Sequence, residues 1–217
     1  SPRSGKCRLQ RLSVPPPVRP IFIIAGLAAF AGFAVTGLFA AVAPAFVAEI
    51  IGIDNHALAG LIAGSIFAAS AAAQIVAVRI EPRRAVALGS AILIIGMAVL
   101  AAALHFSSLS ALIAASLVSG LGQGISFSRG LAAVAEGTPA DARAAVNSAY
   151  FVVAYIALSI PVVGAGLAAQ VWGLRTGGTV FALAVGALAA VCLVAILRQE
   201  SRTPGSAAGS TENRTPA

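Results

Sequence analysis

Residues 71–106 read AAAQIVAVRIEPRRAVALGSAILIIGMAVLAAALHF. An apolar run ends in the cationic break Arg79-Ile80-Glu81-Pro82-Arg83-Arg84, and a second run, Ala85 to Leu104, follows at once. That second run is about 20 residues long, which is what a helix needs to cross the hydrocarbon core of a bilayer. Helix is the state it must take, because open strands leave backbone polar groups unpaired in lipid. Reading outward, the alternation of apolar run and polar break recurs along the chain. The predicted spans are Ile21 to Val47, His56 to Val78, Ala85 to Leu104, Leu109 to Phe127, Ala144 to Ala169 and Thr176 to Leu197. The breaks carry helix-stop chemistry: Gly52 with Asp54-Asn55, Glu81-Pro82, Ser107-Ser108, Gly137-Thr138-Pro139 and Gly173.

Composition excludes the common soluble classes. Hydrophobic residues make up 59% of the chain, charged residues 10%, and mean hydropathy is +0.96. Soluble domains carry about 25% charged residues. The net charge of +7 would suit nucleic acid, but a nucleic-acid binder holds its cations on a solvated face. Here they sit in the breaks between apolar runs, so no nucleic-acid partner is expected. All cations but Lys6 are arginine; with the Ala, Gly and Val content this is consistent with a GC-rich bacterial genome. Cys7 and Cys192 show neither disulfide nor metal spacing, and no cofactor motif is present, so none is expected.

The cations also give sidedness. Arg3, Lys6, Arg8, Arg11 and Arg19 precede the first span; Arg79, Arg83 and Arg84 follow the second; Arg129 and Arg143 lie between the fourth and fifth; Arg198, Arg202 and Arg214 follow the sixth. Thirteen of the fourteen thus fall on one side, with Arg175 on the other. Lys and Arg are retained in the cytoplasm, which predicts a multi-pass protein of the cell membrane with both termini cytoplasmic. The first apolar run is about 27 residues, too long for the core of a signal peptide. Three regions follow: a basic, proline-containing cytoplasmic linker at 1–20, a six-helix bundle at 21–198, and a disordered polar tail at 199–217.

Polar residues are shared unevenly among the spans. Thr36 lies in the first and Ser70 and Gln74 in the second. The fourth carries Ser116, Ser119 and Gln123 on one helical face, and the fifth carries Ser148, Tyr155 and Ser159. Spans three and six are nearly all aliphatic. Polar groups within a membrane face the bundle or a water-filled path, which places spans one, two, four and five around an interior and three and six outside. Small residues at Gly60-Gly64 and Gly120-Gly124 spacing equally serve helix packing. The residues expected to line a solute path are Thr36, Gln74, Ser116, Ser119, Gln123, Ser148, Tyr155 and Ser159. Arg79, Arg83, Arg84, Arg129 and Arg143 are expected at the cytoplasmic rim. A faint repeat pairs residues 72–79 (AAQIVAVR) with 168–175 (AAQVWGLR) at an offset of 96. It reads as two triplets of opposite orientation, an inverted repeat typical of transporters.

With these features the chain resembles one half of a major facilitator superfamily transporter, over about Val18 to Arg198. The basic loop after span two is similar to that family's Gly-x-x-x-Asp-x-x-Gly-Arg-Arg loop. Arg83-Arg84 matches fully, while Ile75, Arg79 and Pro82 stand at the first Gly, the Asp and the second Gly. The resemblance implies an all-α fold of six transmembrane helices in a 3+3 inverted repeat. It further implies a secondary active carrier of a small solute, working by alternating access, with drug or metabolite efflux as one form. The six helices correspond to the C-terminal half of a twelve-helix protein, so the expected partners are the bilayer, a small solute and an N-terminal six-helix half, or a second copy of the chain. The alternatives are a permease subunit of an ATP-driven transporter and a non-transporting membrane protein. An enzyme is not expected, because His56 and His105 sit at span edges without a nucleophile beside them.

Overall fold

The computed structural model of the protein describes residues 14–53 and 55–201. Arg3, Lys6, Cys7, Arg8, Arg11, Asp54, Arg202 and Arg214, with most of both expected tails, lie outside the described residues. Within them a 3-10 turn, Pro16–Val18, leads into six helices: α1 (Arg19–Glu49), α2 (His56–Ala77), α3 (Pro82–Phe106), α4 (Leu109–Glu136), α5 (Arg143–Trp172) and α6 (Leu174–Ser201). All six are long and apolar enough to cross a membrane.

The helix ends are set by local chemistry. Asn55 caps α2, its side-chain oxygen accepting from the Leu58 N–H at 3.1 Å, and Ser108 caps α4 by accepting from the Ala111 N–H at 3.3 Å. Glu81 caps α3 with both carboxylate oxygens, accepting from the Arg83 N–H at 3.1 Å and the Arg84 N–H at 2.9 Å. The Arg84 N–H in particular holds the Glu81 carboxyl below its ordinary value; slight burial opposes this, and the Arg83 N–H and the two guanidinium charges add to it. Ser107 ends α3 in the left-handed region at φ 52°, and Gly173, at φ 81°, separates α5 from α6.

Two sequence boundaries need correction. The fourth span was expected to stop at Phe127, leaving Arg129 in a loop; instead α4 runs nine residues further, to Glu136, and Arg129 is helical. Gly130, Ala133 and Val134 bury their small side against the bundle and keep the helix going past the charge. Likewise, the linker was expected to run to residue 20; instead Pro16–Val18 coil into a 3-10 turn with Val18 buried, and α1 begins at Arg19. Proline's fixed φ suits a helical first turn as well as an extended one.

The packing centres on α4, which lies against α1, α2 and α3. Its contact with antiparallel α3 is built from small residues at matched levels: Gly89 faces Ser126, Leu93 faces Gly122, and Gly96 faces Ser119. A Cβ on Gly122 would stand 2.8 Å from both the Gly89 carbonyl oxygen and the Leu93 nitrogen. On the α2 side, Gly120 rests on the Ile66 carbonyl and Gly124 on the Ser70 carbonyl. Such approach lets backbones touch, which drives helix association where lipid tails are as apolar as the side chains. α6 packs on α3, and α5 on α1, where Gly37 meets Leu158 and Val162 beside the internal Pro161.

Burial follows the polar pattern only in part. α1 and α4 are the most buried helices, as expected for an interior pair. α3, expected outside, is more buried than α2, and α5 is the least buried of all. Being aliphatic does not make α3 peripheral within this bundle, because its glycines dock on the serine face of α4.

Two outcomes test this account. Gly124→Ala should lower the thermal unfolding midpoint in detergent by several degrees, whereas Gly60→Ala, with open space around it, should leave it unchanged. The folded-state carboxyl of Glu81 is more acidic than the unfolded one, so its capping contribution is full above the ordinary value of 4.5 and fades as pH falls through the lowered value. The midpoint difference between wild type and Glu81→Gln should therefore be constant near neutrality and shrink in acid.

Candidate functional site

Three helices bring hydroxyl and amide groups together on the side of α4 that faces α2 and α1. Ser70 on α2 donates to the Gln123 side-chain oxygen at 2.5 Å, and the Gln74 amide donates to Ser70 at 3.2 Å. One turn of α2 thereby links two amides through one hydroxyl. Further toward the α2 N-terminus, Ser65 and Ser116 share a 2.7 Å hydrogen bond, and Ser116 donates to the Ile62 carbonyl at 3.0 Å. Because α2 and α4 run parallel, the two polar levels stack at a nearly constant sequence offset, five residues apart on α2 and seven on α4.

Gln123 is the hub. It is 4% exposed, and its aliphatic stem lies over Gly32 of α1, where a Cβ would stand 2.7 Å from Gln123 Cγ. An amide buried in hydrocarbon must find partners, and Gln123 spends its carbonyl oxygen on Ser70. Its NH2 group donates to none of the described residues, leaving two donors available in the middle of the bundle. Thr36, one turn beyond Gly32, returns its hydroxyl to the Gly32 carbonyl at 3.0 Å and is buried.

The remaining expected path residues fall elsewhere. Ser119 is buried against Gly96 at the α3 contact, and its hydroxyl, like those of Ser90 and Ser126, has no partner among the described residues. Tyr155 (68% exposed), Ser148 and Ser159 lie on the outer face of α5, and Ser148 bonds its own helix at the Ala144 carbonyl. So Gln74, Ser116 and Gln123 come together, Thr36 borders them, and Ser119, Ser148, Tyr155 and Ser159 do not join them within this bundle. Ser65 and Ser70 were not among the expected path residues. Their parallel offset to Ser116 and Gln123 was the available signal, but it is readable only once α2 is known to pack beside α4.

At the two ends of the bundle the cations separate. Arg79, Arg83 and Arg84 sit at the α2–α3 junction, Arg143 opens α5 and Arg129 lies two turns inside the end of α4, its Nε buried and unpaired. Arg143 donates to the Thr138 carbonyl at 3.1 Å, closing the α4–α5 turn. Arg175, at the opposite end, donates to the His105 carbonyl at 3.2 Å and to Ser107 Oγ at 2.7 Å. It covers the C-terminus of α3, where a cation is favoured. That local role accounts for the one charge on the other side.

Near the Arg143 end, Tyr150 is fully buried; its hydroxyl lies 3.3 Å from the Ala25 and Phe127 carbonyls. Its ring stacks on Phe127 at 5.6 Å. This pins α5 to α1 and α4 at one end, while the Tyr155 face is left open. No group of three or more His, Cys, Asp or Glu among the described residues could hold a metal ion.

Comparison with known families matches residues 22–217 to the Major Facilitator Superfamily. Six apolar helices fit a half-domain of that superfamily. No curated protein matches the chain.

The Ser70–Gln123 pair should behave as a coupled unit. A double-mutant cycle with Ser70→Ala and Gln123→Leu, read from unfolding in mixed micelles, should give a coupling of about 1 kcal/mol. The same cycle on Ser148→Ala and Gln123→Leu should give none.

Proposed function

Because the chain belongs to the Major Facilitator Superfamily, we propose that it forms one six-helix half of a secondary active carrier that moves a small solute across the cell membrane by alternating access. The observation that carries this reading is the outer face of α5. Tyr155 and Ser159 stand there exposed among Ile156, Ile160 and Val163, and exposed Phe67, Ile75 and Val76 form the corresponding face of α2. A tyrosine hydroxyl and a serine facing lipid are costly, and a second six-helix bundle packed over α2 and α5 would turn them toward a shared path. That bundle is either further sequence of the same protein or a second copy of the chain.

In this reading Tyr155 and Ser159 contact the solute from α5, and Ser148 lies toward the mouth. Gln74 and Gln123 present amide groups from α2 and α4, with Thr36, Ser116 and Ser119 lining or bracing the wall. Arg79, Arg83, Arg84, Arg129 and Arg143 form the cytoplasmic rim, and both termini lie on that side. All eight path residues are neutral, so the half favours hydrogen-bonding solutes; a coupling carboxylate, where one is needed, belongs to the other half. Efflux of a drug-like or metabolic solute is the finer form of the proposal. The inverted repeat is supported by the parallel pairs: α1 beside α5 answers α4 beside α2, as exchange of the two triplets requires. The α3–α4 contact, far more extensive than α1–α6, departs from that symmetry.

Proteoliposomes holding this chain alone should show no saturable uptake across a panel of labelled amino acids, sugars and cationic dyes. Saturable uptake by the chain alone, abolished by Gln123→Leu, would contradict the half-carrier reading. A maleimide applied to Tyr155→Cys in a Cys7→Ser, Cys192→Ser background should react fully with the chain alone and be excluded once a second bundle is in place.

A further inference from the structure

Away from the polar levels, carbon and charge meet on α6. A surface groove of about 390 Å³ runs along Ala190, Val191, Val194 and Ala195 and ends at Arg198. These positions recur at three- and four-residue spacing, so they form one stripe on one side of the helix. Val191, Val194 and Arg198 are exposed. One turn above Val191 is Leu188, which belongs to a second apolar space. This is a cleft of about 410 Å³ where α5 and α6 diverge from α1, walled by Phe30, Pro161, Gly164 and Leu188.

The dimensions and the charge point to one occupant. From Arg198 to Leu188 is ten residues, an axial rise of about 15 Å. That is half of the roughly 30 Å hydrocarbon core, so a chain anchored at Arg198 reaches the bilayer midplane where the cleft opens. The furrow carries no charge before Arg198. At that end of the bundle the sequence places Arg19, Arg79, Arg83, Arg84, Arg129, Arg143 and Arg198 against the acidic Glu81, Glu136, Asp141 and Glu200. The local excess is positive, which favours a headgroup with net negative charge over a zwitterionic one.

We propose that this furrow binds an anionic phospholipid from the leaflet on the Arg198 side. Its phosphate pairs with the Arg198 guanidinium, one acyl chain follows Val194 and Val191, and the chain end enters the cleft at Leu188. The site shares no residue with the proposed solute path, so its failure and that of the carrier reading are separate.

The chain has a single tryptophan, Trp172, at the far end of α5, so a reporter is introduced in a Trp172→Phe background. Val194→Trp is reconstituted in phosphatidylcholine vesicles in which chain-brominated phosphatidylglycerol or chain-brominated phosphatidylcholine replaces a fixed fraction of the lipid. Bromines quench tryptophan on contact. The brominated phosphatidylglycerol should quench the reporter several-fold more effectively at low mole fraction. Adding Arg198→Gln should remove that preference, Arg198→Lys should retain it, and a reporter at Ile95→Trp on lipid-exposed α3 should show none. Equal quenching by the two lipids at Val194→Trp would overturn the proposal. So would a preference that survives Arg198→Gln, because the general cation belt would then be its source.

Discussion

Backbone-to-backbone approach along α4 is the constraint on which the rest of the structure depends. In lipid there is little hydrophobic gain from bringing two apolar helices together, so contact must come from close packing and interhelical hydrogen bonds. α4 supplies both. Gly120 and Gly124 admit α2, Gly122 admits α3, and Ser119 and Ser126 fill the hollows left by Gly96 and Gly89. α1 is then seated by Gln123 over Gly32 and by the Phe33–Phe127 ring contact at 4.9 Å. α6 and α5 are carried by α3 and α1 in turn, which makes them the outer layer of a bundle organised from its fourth helix.

The same face of α4 holds the polar groups with functional reach. A serine on a packing face can satisfy its hydroxyl within its own helix or against a neighbouring carbonyl, as Ser116 does with Ile62. A glutamine cannot be dismissed so easily, because it brings one acceptor and two donors. Gln123 uses the acceptor to fasten α2 and keeps its donors unspent, so one residue both joins three helices and offers hydrogen bonds at the centre. Under the proposed function, packing and solute recognition would not be rival roles at this position. A solute accepting from Gln123 would also bear on the α2–α4 joint through Ser70 and Gln74.

Much of this was legible in the sequence. The number of helices, their approximate ends and the segregation of cations follow from apolar run length, Gly and Pro breaks and the cost of charge in lipid. The end of α4 was not legible, because a charge at Arg129 looks like the end of a span when its burial partners are unknown. The capping role of Arg175 was hidden for a similar reason: His105 and Ser107 are 70 and 68 residues away in sequence. Within this bundle α3 is more buried than α2, because small residues, not polar ones, decide how close two membrane helices come. The candidate path was half visible. Gln74, Ser116 and Gln123 converge, whereas Tyr155 and Ser159 take a place in a path only through a second bundle.

The most direct test of the central role of α4 is oxidative cross-linking of Ser65→Cys with Ser116→Cys, in a Cys7→Ser, Cys192→Ser background, in native membranes. The two hydroxyls stand 2.7 Å apart across the α2–α4 contact. A rapid intramolecular disulfide, detected by protease cleavage between α2 and α4, is the result predicted here, with none for Ser65→Cys paired with Ser159→Cys. Absence of the Ser65–Ser116 cross-link in folded protein would contradict the account.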